Sequence, residues 1–262
     1  VSVATLPIID AAPSVPSLAI DCALTAEWLE AFLRDELIER RGVKSAVVGL
    51  SGGVDSAVTA FLCARALGPE HLWTIRMPYR TSSAGSLSDA QLVIDALGCR
   101  ARTIDISGAV DGYLQHEPEA DPRRRGNIMA RTRMIVLFDQ SSKLDALPIG
   151  TGNKTERLLG YFTWHADDSP PVNPLGDLFK TQVWALARYL GVPPSIVDKA
   201  PSADLEADQV PAFVETCVTT AGIGAHHVFL ETVADVFGVA FEHHENSEAD
   251  VVADGAAIAL KG

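Results

Sequence analysis

The stretch of this 262-residue chain best suited to chemistry is Ser51-Gly52-Gly53-Val54-Asp55-Ser56, entered from Gly49-Leu50. Two adjacent glycines lack the Cβ atoms that would hold an anion off the backbone. Successive N–H groups and the positive end of the following helix can therefore face a pyrophosphate. Ser51 and Ser56 add hydroxyl donors. Asp55 puts a negative charge beside any bound phosphate, which makes sense if a divalent cation lies between them or if the carboxylate caps the helix. Both readings stay open on the sequence. The stretch is not a Walker A loop, which needs Lys followed by Ser or Thr, and it is not G-x-G-x-x-G.

These residues need a strand to deliver them and a helix to carry them away. Ser45–Gly49 reads as that strand, and a helix from about Val54 to Leu67 is closed by Gly68-Pro69. Before them, Glu27 to Arg40 places Trp28, Leu29, Phe32, Leu33, Leu37 and Ile38 on one helical face. After them come a strand over Leu72–Met77, a helix from about Leu87 to Leu97, and a third strand over Arg102–Ile106. A short helix near Val110–Leu114, a charged loop over His116–Arg125 and a helix over Gly126–Leu144 follow. A fourth strand, Leu144–Ile149, runs into a second glycine turn, Gly150-Thr151-Gly152.

The alternation predicts an α/β fold with a doubly wound, mostly parallel sheet and helices on both faces. In such sheets ligands collect beyond the carboxyl ends of the strands. The Ser51 turn, Arg76 and Thr151 all fall there. Phe162 to Val172 reads as a loop because Asp167, Asp168, Ser169, Pro170 and Pro171 follow no helical or strand period. Gly176 to Tyr189 reads as the next helix. The expected organisation is one domain over 1–262, with an N-terminal arm over 1–24 and a divergent C-terminal segment over 206–262.

The formal charge of −13 argues against a nucleic-acid partner, which needs a Lys/Arg-rich face. Four scattered cysteines, without a Cys-x-x-Cys pair, suggest neither a zinc site nor a disulfide framework. With no basic, apolar leader and no membrane span expected, the sequence reads as a cytoplasmic protein.

Five motifs in order identify a family. They are the Ser51 turn, Gly126-Asn127-Ile128-Met129-Ala130-Arg131, Gly150-Thr151-Gly152-Asn153-Lys154-Thr155-Glu156, Lys180-Thr181-Gln182 and Pro201-Ser202-Ala203-Asp204-Leu205. Together they resemble the ammonia-dependent NAD synthetases, within the ATP pyrophosphatases and their adenine nucleotide alpha hydrolase-like fold. The resemblance runs from roughly Glu27 to Leu205. It implies adenylation of the deamido-NAD carboxylate by ATP, release of pyrophosphate, and displacement of AMP by ammonia.

By the same resemblance, Gly49, Leu50, Ser51, Gly52, Gly53, Val54, Asp55, Ser56, Arg76, Thr151, Lys180 and Ser202 contact ATP, Ser202 standing where threonine is more usual. Asp55 and Glu156 hold Mg²⁺. Asn127 and Arg131, four apart on one helical face, contact deamido-NAD. Lys180 and Asp167 act in catalysis, Asp167 as the group that takes a proton from ammonium. Arg133, two positions from Arg131, is expected to point elsewhere, into solvent or an ion pair.

The resemblance further implies a homodimer, and with no room for a glutaminase domain the expected nitrogen donor is free ammonia. Two departures stand out. Trp164 and Ser169-Pro170-Pro171 replace a lysine and a glycine-rich run, and the family's C-terminal His-Lys pair has no match. They keep two alternatives in view: an adenylating ATP pyrophosphatase acting on a different carboxylate, and an ATP-binding module without catalysis.

Overall fold

A computed structural model describes residues 18–199. Residues 1–17 of the arm expected over 1–24, Ser202 and the segment over 206–262 lie outside the described residues, and the arm's last three residues, from Cys22, belong to a helix instead. Four strands form one wholly parallel sheet: β1 (Ser45–Gly49), β2 (Leu72–Arg76), β3 (Arg100–Thr103) and β4 (Ala146–Ile149). Their order across the sheet is β3-β2-β1-β4. The chain therefore steps outward from β1 through β2 to β3 and then crosses back to the far side of β1. That reversal leaves a crevice between β1 and β4, at the carboxyl ends of two strands whose loops diverge.

Alternation along β1 assigns the two faces. Ala46 and Val48 are buried against one layer, which holds α1 (Cys22–Arg34), α2 (Val54–Leu67), α3 (Ala84–Leu97) and α7 (Lys180–Leu190). Val47 points the other way, with Ile75, Leu137 and Ala146, under α5 (Pro122–Leu144). The short α4 (Ser107–Leu114) packs beside α5 through Val110 and Met129. Two short helices complete the described fold, α6 (Lys154–Leu158) after β4 and α8 (Pro194–Val197) after α7. With helices on both faces of the parallel sheet, the fold class is the one expected.

The element boundaries differ from the sequence expectation where a cap decides them. α1 starts at Cys22 rather than Glu27 because the Asp21 side chain accepts the Leu24 N–H at 3.0 Å, and it ends in a wider π-type turn over Asp35–Glu39. α5 starts at Pro122 because Asp121 caps it through the Arg124 N–H at 2.7 Å and Pro122 fits the first helical turn. β3 is a mostly exposed edge strand that begins two residues earlier than Arg102. Hydrogen bonding to the β2 side nevertheless continues beyond it, since the Ile104 and Ile106 N–H groups donate to the Arg76 and Pro78 carbonyls, each at 2.9 Å.

Candidate active site

The first glycine turn is held from within and from behind. Gly52 has φ +83°, and a Cβ there would lie 2.3 Å from the Ser86 carbonyl oxygen, so α3 leaves room for glycine only. The Ser56 hydroxyl is buried and donates to the Gly53 carbonyl at 3.0 Å, while also lying 3.1 Å from the Ser51 hydroxyl. Ser56 thus braces the turn, whereas Ser51 sits on its exposed rim and accepts the Gly53 N–H at 3.2 Å. Leu50 is buried and anchors the turn to β2 through its N–H and the Ile75 carbonyl.

Gly53 is the N-cap of α2, and the Asp55 carboxylate makes no cap hydrogen bond. It turns across the crevice instead. Its Oδ1 accepts from Asn153 Nδ2 at 2.9 Å, and its Oδ2 pairs with Lys180 Nζ. The helix-cap reading of Asp55 is therefore excluded by the geometry.

Asn153 was not among the residues singled out by sequence, and it ties the site together. It is 1% exposed. Its Oδ1 caps α6 by accepting the Glu156 N–H at 3.0 Å, and the Glu156 carboxylate returns a bond to the Asn153 N–H at 3.0 Å. This is a reciprocal capping box, and Asn followed three residues later by Glu is its sequence signal. One amide therefore fixes Asp55 with its nitrogen and Glu156 with its oxygen.

Lys180 opens α7 and completes the cluster. Its Nζ is paired with Asp55 and lies 3.9 Å from Glu156 Oε1; its side chain is only 12% exposed. Burial pulls the ammonium pKa down, but Asp55 and Glu156 together raise it further, so it stays charged. Burial, then the like charge of Asp55, pushes Glu156 up to about 7 against the opposing pull of Lys180. Two carboxylates thus share one ammonium in a partly desolvated crevice, which calls for more positive charge. A small divalent cation suits such a donor set, since Mg²⁺ is bound by one or two carboxylates with phosphate oxygens and water completing its shell.

Around this cluster the remaining residues fall into place unevenly. Arg76 ends β2 and turns to α3, with Nη1 donating to Gln91 Oε1 at 2.7 Å and Nε buried without a partner. Thr151 is half-buried between the two glycines of the second turn, over which Asn173 packs. On α5, Arg131 is exposed, and its Nε donates to the Trp164 carbonyl at 3.2 Å; Asn127 is half-buried one turn earlier. Arg133 points away from Arg131, as expected, and inward rather than into open solvent. It is half-buried, and its Nε reaches the Met77 carbonyl just past β2, at 3.2 Å.

The loop expected over Phe162–Val172 contains a compact turn. Asp167 accepts the Thr163 N–H at 2.8 Å, and Asp168 accepts the Ala166 N–H at 3.0 Å. Crowding by surrounding chain raises the Asp167 carboxyl pKa, with the Thr163 N–H pulling the other way. Asp167 is near enough to Glu156 for its charge to contribute to the rise there. The structure thus gathers Asp55, Glu156 and Lys180 directly, with Asp167 at their edge. The arrangement sets one ammonium against two carboxylates, with a third carboxylate at their edge.

Known proteins share this architecture. The sequence profile described as NAD synthase matches residues 25–212. The NH3-dependent NAD+ synthetase of Chlorobaculum parvum is 50% identical over 188 residues, which cover 72% of this chain and 68% of that protein. Among solved structures, the NMN synthetase from Francisella tularensis matches with a TM-score of 0.75 at 28% identity, covering 86% of this chain and 100% of that one. The NH3-dependent NAD synthetase from Campylobacter jejuni gives a TM-score of 0.69 at 30% identity, over 87% and 100% of the two chains. The profile match takes in both glycine turns and the Asp55–Lys180 crevice between them, and on it the chain belongs to the NAD synthase family.

Proposed function

We propose that this chain catalyses the ATP-dependent amidation of deamido-NAD by ammonia, giving NAD, AMP and pyrophosphate. The observation that carries the reading is the crevice in which Asn153 locks Asp55 and Glu156 beside Lys180, in a chain 50% identical over 188 residues to an NH3-dependent NAD+ synthetase. A carboxylate is a poor acyl donor until one of its oxygens is joined to a good leaving group. In the first step a carboxylate oxygen of deamido-NAD attacks the α-phosphorus of ATP and pyrophosphate leaves. In the second, the ammonia nitrogen attacks the carbonyl carbon, AMP departs with that oxygen, and one proton is lost.

The chain's own groups divide these tasks. The backbone N–H groups of Gly52 and of the first turn of α2, Val54 to Ser56, receive the phosphates, and Lys180 places a fixed positive charge where pyrophosphate accumulates charge. Arg76 contacts the nucleotide, with Thr151 and Ser202 as hydroxyl contacts. Asn127 and Arg131 hold the second nucleotide so that its carboxylate faces the α-phosphorus. Asp167 takes the proton from ammonium, which has no lone pair until it does so. Asp55 and Glu156 would hold Mg²⁺, which when bound neutralises the polyphosphate.

A second copy of the chain is the partner this reading favours. One face of α5 packs on the sheet, while Ile135 and Phe138 on another are 71% and 41% exposed. Both follow Arg131 on α5, so an apolar contact there would abut the proposed dinucleotide site. The nucleotide substrates place the reaction in the cytoplasm. No helix among the described residues is long and apolar enough to cross a membrane.

The likeness to an NMN synthetase supports one rival substrate, the mononucleotide carrying the same pyridine carboxylate. Purified protein should form NAD and pyrophosphate in equal amounts from ATP, Mg²⁺, deamido-NAD and ammonium, and neither when any one is omitted. Faster turnover of nicotinate mononucleotide under the same conditions would replace the dinucleotide reading. ATP binding without pyrophosphate release from either acid would replace both.

A further inference from the structure

The loop between β2 and α3 is fastened to α4 by side chains that the reaction scheme leaves unused. Tyr79 Oη donates to Asp111 Oδ1 at 2.8 Å, and Arg80 pairs through Nη2 with that same oxygen. Arg80 Nε and Nη2 also donate to Tyr79 Oη, at 3.1 and 3.0 Å, with the guanidinium carbon 5.3 Å from the centre of the tyrosine ring. The Arg80 N–H donates to Ser107 Oγ at 3.0 Å, and the Ser107 N–H to Asp105 Oδ1 at 2.7 Å. A lone surface ion pair contributes little, but here one carboxylate oxygen gathers a phenol and a guanidinium that also bond each other.

Both ends of this clamp are anchored. α4 is held to α5 by Ile106, Val110 and Met129, and the Tyr79 ring packs on the same cluster. Asp111 follows Val110 directly, and its side chain is only 27% exposed. On the loop side, the Ser82 N–H donates to the Tyr79 carbonyl at 2.8 Å, and the Tyr79 N–H donates to Ser82 Oγ at 3.1 Å. Ser83, next in the chain, caps α3 by accepting the Ser86 N–H at 3.0 Å, and its hydroxyl lies 2.8 Å from that of Ser86.

A continuous path therefore runs from α4 to Ser86, whose carbonyl stands behind Gly52 in the first glycine turn, 2.3 Å from where a Cβ would lie. Ala90, Val93 and Ile94 fix the body of α3 in the core, but they come after its first turn. A first helical turn frays unless its cap holds. The contact with Gly52 thus depends on where the loop delivers Ser83.

We propose that Asp111 is a positioning residue for ATP binding: through Tyr79 and Arg80 it fixes the loop that seats Ser86 behind Gly52, and so holds the phosphate-binding turn in shape. The inference rests on the proposed function in taking that turn as the ATP site. Asp111 acts here without touching ATP.

The test is calorimetric titration of ATP into the full chain and its variants, with hydrogen exchange of the ligand-free proteins and steady-state kinetics alongside. Asp111→Ala should weaken ATP about fivefold, equivalent to about 1 kcal/mol. The KM for ATP should rise to match while kcat and the KM for deamido-NAD stay near wild type, and amide exchange should quicken over 52–56 and 84–87 but not over α5. Asp111→Asn keeps an acceptor oxygen for both donors and should recover most of the affinity. Adding Tyr79→Phe to Asp111→Ala should weaken ATP no further, because the two act as one clamp. Unchanged ATP affinity in Asp111→Ala would overturn the proposal. So would a fall in kcat with both KM values raised and exchange quickened throughout, which is what plain destabilisation produces. If the wild type binds ATP but makes no NAD, the proposed function falls and the titrations still decide the clamp; a wild type that binds no ATP would overturn both.

Discussion

Replacing Asn153 separates the geometry of the crevice from its charge. Asn153→Ala removes a hydrogen bond to the Asp55 carboxylate and the acceptor that caps α6. A bond to a charged group contributes about 1.5–3 kcal/mol and an N-cap about 1 kcal/mol, so a loss of about 3 kcal/mol is expected. For a chain of this size that lowers Tm by roughly 6–12 °C. Asn153→Asp keeps a cap acceptor but sets a third carboxylate where the amide donated to Asp55, exchanging an attraction for a repulsion. Thermal unfolding and pyrophosphate release, each followed against Mg²⁺ concentration, read the two effects apart. Asn153→Ala should lose both stability and rate, while Asn153→Asp should keep more of the cap's stability and still lose rate. If Asn153→Ala melts within a degree of wild type and releases pyrophosphate normally, the amide does not organise the two carboxylates.

Three further outcomes follow from the same geometry. Gly52→Ala would force a Cβ against the Ser86 carbonyl at a left-handed φ, so it should lower Tm and abolish ATP binding by calorimetry; normal ATP affinity would contradict the packing of α3 behind the turn. At constant ammonium concentration, the rate should climb with pH as Asp167 loses its proton, with a midpoint above the ordinary aspartate range, and Asp167→Asn should remove that limb. The raised folded pKa also has a sign for stability: the Asp167 contribution is full below its unfolded pKa and is lost as pH rises through the folded one, and a urea series over that window reads it. Ile135→Glu should shift the sedimentation of a dimer to that of a monomer, and an unaltered dimer would move the interface off α5.

The sequence made the frame legible because its punctuation coincides with physics the chain cannot evade. Strand Ser45–Gly49 and helix Val54–Leu67 are bounded as read, since glycines stand at both junctions and the apolar period changes between them. The edge strand β3 was displaced because Ile104 and Ile106 carry the apolar signal, while Arg100–Thr103 faces outward and carries little. In the site, Asp55, Glu156 and Lys180 were visible as members of motifs, but their mutual contacts depend on the crossover that sets β4 beside β1. Asn153 was passed over because its turn reads as glycine-rich loop; its importance comes from contacts 98 residues away in sequence. Helical spacing sets Arg133 apart from Arg131 but gives no information on what lies opposite it, here the Met77 carbonyl.

The central claim is that the substrate carboxylate is activated by bonding to the α-phosphorus. Deamido-NAD labelled with ¹⁸O in both carboxylate oxygens tests it directly when AMP, pyrophosphate and NAD are analysed by mass spectrometry. The mechanism predicts one ¹⁸O in AMP, one retained in the NAD amide and none in pyrophosphate. AMP without label, or label in pyrophosphate, would contradict it.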